Sequence, residues 1–150
     1  MNPPHRLTVW RKADLLVQRI CVVLASDHTV PHADLSIRAR RAATEIPLAI
    51  DAGSRADTAA CFAAHVERAI ALTYEVQYLL TLHEANGRLG TSECARLVAR
   101  SDQVQRMLAG LLRTIEQGNR PASGATTRRD PGSPLTPRRR SRPSRSSLDD

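Results

Sequence analysis

Aromatic side chains are almost absent from this chain of 150 residues: Trp10, Phe62, Tyr74 and Tyr78 make up the whole set. A core must therefore be built from Ala, Leu, Val and Ile, and residues 118–150, which hold no aromatic, have nothing on which to stack a base. Lysine is scarcer still, with Lys12 alone among 22 basic residues. The three cysteines, Cys21, Cys61 and Cys94, are far apart, each inside an apolar pattern, with no CxxC spacing. That excludes a disulfide framework or a zinc ribbon and favours small buried thiols. No apolar run approaches the ~18 residues of a membrane span, and no apolar stretch with a cleavage site follows Arg6, so a cytoplasmic location is expected. There is no glycine-rich phosphate loop and no nucleophile elbow.

Charge is present but unevenly placed. The formal net charge is +7. Residues 118–150 hold eight arginines against three aspartates, which leaves +2 for the first 117 residues. The same C-terminal stretch carries five of the nine prolines and almost no large apolar side chain. It cannot bury enough surface to offset its ordering entropy, which predicts a disordered tail at 118–150. The preceding residues 7–117 are long enough for one core, with residues 1–6 as an N-terminal extension.

Four segments show helical periodicity and none alternates as a strand does. Over residues 7–24, Val9, Ala13, Leu16, Ile20 and Val23 fall at four- and three-residue steps, widened by Trp10, Val17 and Leu24. Over 33–52 the stripe is Leu35, Ala39, Ala42, Ile46 and Ala49 or Ile50, with Arg38, Arg41 and Glu45 opposite. The spacings Asp34 to Arg38 and Arg41 to Glu45 allow surface pairs. Pro47 predicts a kink or a restart, and Gly53 suits a left-handed closing residue. The third segment, 57–86, has Phe62, Val66, Ala69, Thr73, Val76 and Leu80 in line; Asn86, Gly87 and Gly90 end it. The fourth, 92–117, follows Thr91 as N-cap and aligns Cys94, Leu97, Val104, Leu108, Leu111 and Ile115. Short loops between four such stripes predict an all-α protein: an antiparallel up-and-down four-helix bundle with a kinked second helix. Its small seam residues bury modest area per helix, which leaves room for self-association.

The segment Arg40-Arg41-Ala42-Ala43-Thr44-Glu45-Ile46-Pro47-Leu48-Ala49-Ile50-Asp51-Ala52-Gly53 resembles the Q-I-R-R-A-A-x-S-I-P-x-N-I-A-E-G pattern of the four-helix-bundle family of 23S ribosomal RNA intervening sequences. Leu7-Thr8-Val9-Trp10-Arg11-Lys12-Ala13 is similar to that family's opening L-x-V-W-x-K-A, Phe62, Ala69 and Glu75 match its third helix, and Arg106-Met107-Leu108 its closing R-M-L. The departures are Ala49 for the family's Asn, Ala52 for its Glu, and Ala71-Leu72 for its Gly-Ser pair. The resemblance implies a homo-oligomeric ring, commonly a homopentamer. It also implies, through a related branch, an accessory variability protein of diversity-generating retroelements that binds a reverse transcriptase and template RNA.

Reactive groups do not converge. Cys61 and His65 share a helical face but make only two ligands, and Asp27, His28 and His32 form an ordinary polar loop. Glu67 and Glu75 lack the second Glu-x-x-His helix of a di-iron bundle. No catalytic residue, metal site or cofactor is expected, and the chain is not expected to be an enzyme. Arginines are the better lead. Arg38 and Arg41 on the second helix, and Arg96, Arg100, Arg106 and Arg113 on the fourth, lie away from the apolar seams. Arg138, Arg139, Arg140, Arg142 and Arg145 form a polycationic run in the tail. Guanidinium groups pair bidentately with phosphate, so the expected function is a non-enzymatic, oligomeric accessory protein that binds RNA or DNA. The alternative is a protein-interaction scaffold whose charge only keeps it soluble.

Overall fold

The computed structural model describes residues 7–25 and 33–120. Four helices account for nearly all of them: α1 (Thr8–Val23), α2 (Ala33–Ser54), α3 (Ala59–Ala85) and α4 (Thr91–Gly118). Among the described residues there is no strand. Each helix touches two others, α1 and α3 both lying against α2 and α4. The helices therefore form a closed square in chain order around one core.

The predicted stripes are the core. Val9, Ala13, Leu16 and Ile20 of α1 are buried, as are Ala39, Ala42, Ile46, Ala49 and Ile50 of α2. Val66, Ala69, Thr73, Val76 and Leu80 of α3 and Cys94, Leu97, Val104 and Leu108 of α4 complete it. Cross-helix pairs fix the register. Arg38 binds Glu75 and Arg68 binds Glu45, so position numbers fall along α3 as they rise along α2. Between α3 and α4 the same inverse order holds: Cys94 lies at Leu80 and Ser101 at Thr73. Ser101 fills a core position through its hydroxyl, which donates to the Thr73 carbonyl (3.3 Å) and receives Gln77 (3.5 Å).

Three local expectations change. Gly53 is not left-handed: it is the penultimate residue of α2, buried, and among the described residues the left-handed glycine is Gly87 (φ 67°) in the α3–α4 turn. A Cβ at Gly53 would stand 2.8 Å from Phe62 Cδ2 and 2.9 Å from His65 Cβ, so close helix approach, not chain reversal, requires glycine there. Of the two outcomes expected at Pro47, a kink or a restart, the restart is excluded: α2 continues through it, with Pro47 buried, although its missing amide leaves the Ala43 carbonyl without its intrahelical donor. Thr91 is the first residue of α4, not its cap; Gly90 holds the cap position without a side-chain bond. Thr58 caps α3 through its hydroxyl, which accepts from the Cys61 amide at 3.1 Å. The predicted tail beyond Arg120, with Arg138, Arg139, Arg140, Arg142 and Arg145, and the loop with Asp27, His28 and His32 lie outside the described residues.

Candidate nucleic-acid interface

The two helix pairs α2/α3 and α1/α4 treat their arginines differently. On α2, Arg38 and Arg41 are exposed, as the periodicity predicts, but each faces a carboxylate. Arg38 Nε lies 3.1 Å from Glu75 Oε1, and Arg41 Nε 3.6 Å from Glu45 Oε1. Arg68 of α3 takes the other Glu45 oxygen at 2.8 Å. The shallow groove that Arg38 and Arg41 line with Ala42 and Leu72 also holds Glu45 and Glu75, and with Arg68 reaching Glu45 from α3 three arginines share two glutamates there. Arg38 bridges to α3 instead of pairing with Asp34, because Glu75 reaches it from the neighbouring helix. These are exposed pairs of the kind that contribute ~0–1 kcal/mol each.

On α4 the four predicted arginines divide. At about 100° per residue, Arg100 and Arg113 point roughly 140° apart around the helix. Arg106 binds Asp102 at 3.0 Å and Arg113 stands near Gly110, both on the outward flank. Arg96 and Arg100 instead turn toward α1, and there they meet two cations that sequence reasoning had not nominated, Arg19 and Lys12. One hollow of about 310 Å³ is lined by Arg19, Glu93, Arg96, Leu97 and Arg100. The next, about 220 Å³, is lined by Lys12, Leu15, Leu16, Arg100 and Gln103. Arg100 lines both, so the two hollows adjoin along the α1/α4 seam and together make up an α1/α4 groove. The helix packing that buries Leu16 and Leu97 positions it.

This groove has four cationic side chains and a single carboxylate in its lining. Arg19 Nε donates to Glu93 Oε1 at 2.8 Å, and Arg96 Nε lies 3.8 Å from Glu93 Oε2. The hydrogen bond from Arg19 holds the Glu93 carboxyl below its usual range, with further pull from the charges of Arg96 and Arg100. Among the described residues Arg100 and Lys12 have no ion-pair partner. The arrangement can accept phosphate oxygens by charge-assisted hydrogen bonds. It offers no nucleophile–base pair.

Other candidates are plain. Cys61 is exposed and His65 half-buried, and no group of three His, Cys, Asp or Glu among the described residues could hold a metal. A 330 Å³ hollow at one end of the bundle is lined by Leu7, Phe62 and Leu111 with Ser54, Asp57 and Thr58. No described helix is long and apolar enough to cross a membrane. The outward row of α3, residues 60, 64, 67, 71, 74, 78, 81 and 85, is exposed throughout yet holds one charge, Glu67, alongside Tyr74 and Tyr78. The arginine-rich rows of the other helices have no counterpart there.

Residues 5–110 match the model of the 23S rRNA-intervening sequence protein family, from ahead of α1 to within α4. The chain belongs to that family. No curated protein matches it.

Proposed function

We propose that this member of the 23S rRNA-intervening sequence protein family is a non-enzymatic, homo-oligomeric accessory protein of the cytoplasm that binds RNA along its α1/α4 groove. The observation that supports this is the excess of cation in one place: Lys12, Arg19, Arg96 and Arg100 around the lone Glu93. Counterion release would drive binding, so affinity would fall steeply with salt and depend little on sequence. The arginines of the α2/α3 groove contribute less, since each already has a carboxylate. The tail arginines add nonspecific affinity. The retroelement branch of the family supplies the most specific version, in which the bundle assists a reverse transcriptase on its template RNA.

Self-association is supported by the nearly uncharged outward row of α3, where Tyr74 and Tyr78 are more than half exposed. The row spans about 37 Å of helix, enough for a contact with a second copy along its length. A ring would repeat the groove and convert weak phosphate contacts into avidity. The same two tyrosines favour the second reading, a scaffold for another protein, because exposed Tyr is typical of interface anchors.

Binding of a structured RNA and of duplex DNA by the full chain, and by a chain ending at Gln117, across a salt series tests the first reading. Binding by both chains is expected, tighter for the full one. Absence of binding at low salt refutes it, and binding by the full chain alone would reduce the groove to ordinary surface. Light scattering on the eluting protein tests the oligomer, and a monodisperse monomer would sink it.

A further inference from the structure

Glu93 is the least exposed charged group of the α1/α4 groove: its side chain is 19% exposed, against 46% for Arg19 and 66% for Arg96. The carboxylate sits at the floor and the guanidinium groups at the rim. Its two oxygens are divided between two helices' cations, Oε1 to Arg19 of α1 and Oε2 to Arg96 of α4. A phosphate diester likewise offers two anionic oxygens to two donors. Arg96 is further tethered to its own helix by the Ser92 carbonyl (3.3 Å) and hydroxyl (2.8 Å), so it is held at the rim whether or not Glu93 binds it. One turn on, Arg100 lines both hollows and has no partner among the described residues.

We propose that Glu93 is an internal competitor for phosphate: in the free protein it occupies the guanidinium of Arg19, and a bound phosphate must displace it. This rests on the groove being the RNA-binding surface. The groove then has two kinds of cation. Arg100 and Lys12 are open and make first contact, whereas Arg19 engages only by exchange of one anion for another. A ligand with one isolated phosphate gains little from that exchange. A polyanion already held at Arg100 presents its next phosphate at high effective concentration and completes it. The single carboxylate would thus favour densely phosphorylated polymers over free phosphate or mononucleotides.

The test is fluorescence anisotropy of a labelled oligouridine and of a labelled RNA stem-loop with the full chain, over a salt series, for the natural protein, Glu93→Gln, Arg100→Gln and Arg19→Gln. Inorganic phosphate serves as a competing ligand. Glu93→Gln is expected to bind about two- to tenfold tighter, the range of one or two released exposed pairs. Its log–log salt slope on oligouridine should steepen by about 0.7 for the one phosphate gained. Inorganic phosphate should compete better against Glu93→Gln than against the natural protein. Arg100→Gln, which removes an open cation, should lose more affinity than Arg19→Gln, which removes an occupied one. If the natural protein binds and Arg100→Gln weakens it, but Glu93→Gln binds no tighter, the competitor role is wrong and the groove stands. If Glu93→Gln is poorly folded by circular dichroism, the order of the two arginine variants decides, and equal losses overturn the proposal. If neither the natural protein nor Glu93→Gln binds, both the groove and the competitor fall.

Discussion

Replacing Gly53 with alanine separates two roles that glycine can play at a helix end. The added Cβ would meet the Phe62 ring at 2.8 and 3.2 Å and His65 Cβ at 2.9 Å. The ring can tilt, but the His65 Cβ is fixed to the backbone of α3, so the two helices must part by a few tenths of an ångström. Overpacking of this kind costs about 1–3 kcal/mol. Alanine offsets about 1 kcal/mol of it, because Gly53 is helical and alanine is the better helix former. The net expectation is a loss of about 0–2 kcal/mol, or a fall of up to roughly 8 °C in the thermal midpoint by circular dichroism. A left-handed glycine would give a similar loss for a different reason, so the decisive measurement is a double-mutant cycle with Phe62→Ala. That change removes two of the three close contacts, and Gly53→Ala should then cost less by about 0.5–1.5 kcal/mol. An unchanged cost in the Phe62→Ala background would refute close approach as the reason for glycine at this position.

Two further predictions concern stability and thiols. Thr58→Ala removes the acceptor for the Cys61 amide and should lower stability by about 1 kcal/mol in a urea titration, with Thr58→Ser recovering most of it. Burial, and then the neighbouring Glu84 side chain, pushes the Cys94 thiol up to about 11. A thiol held neutral in the fold but free to ionise near 8.5 when unfolded leaves the folded state with more bound protons between those values. Stability should therefore be unaffected by this group below pH 8 and fall by about 2–3 kcal/mol as pH rises to 11, a decline that Cys94→Ala should flatten. In the native protein near pH 8, exposed Cys61 should alkylate within minutes while Cys94 stays protected until the chain unfolds; equal rates by mass spectrometry would contradict its burial.

The stripes of the four helices were legible because burial in a bundle repeats at the helical period, so Ala13, Leu16, Ile46, Val76 and Leu97 declare themselves by spacing alone. What spacing does not carry is the identity of the neighbour across a seam. Asp34 to Arg38 has good helical spacing, yet Glu75, 37 residues on, takes Arg38. Glycine is ambiguous for the same reason: a single Gly after a helical stripe fits either a left-handed cap or a close approach. The atom that decides between them at Gly53 belongs to Phe62, on another helix. Thr91 looked like a cap by type, but the first turn of α4 already includes it, whereas Thr58 stands one residue ahead of α3 and caps it.

The candidate site shows the same limit in its sharpest form. A stripe of arginines along α4 is a one-dimensional feature, and the fold cuts it in two by packing α1 against one flank. Arg106, with its own Asp102 at i−4, is balanced within its helix, whereas Arg96 and Arg100 acquire cationic company only because α1 brings Arg19 and Lys12 beside them. Net charge per helix therefore misjudges where a polyanion would feel the strongest field. The relevant sum is taken across a seam, where the α2/α3 groove matches three arginines with two glutamates and the α1/α4 groove sets four cations around one. Ala49 and Ala52 sharpen the contrast. Ala49 is buried in the α2 core and Ala52 half-buried, so the positions where the family pattern has Asn and Glu are apolar here. With no polar group at those two positions, the proposed RNA binding falls to the surface cations and turns on whether Arg100 and its neighbours bind phosphate.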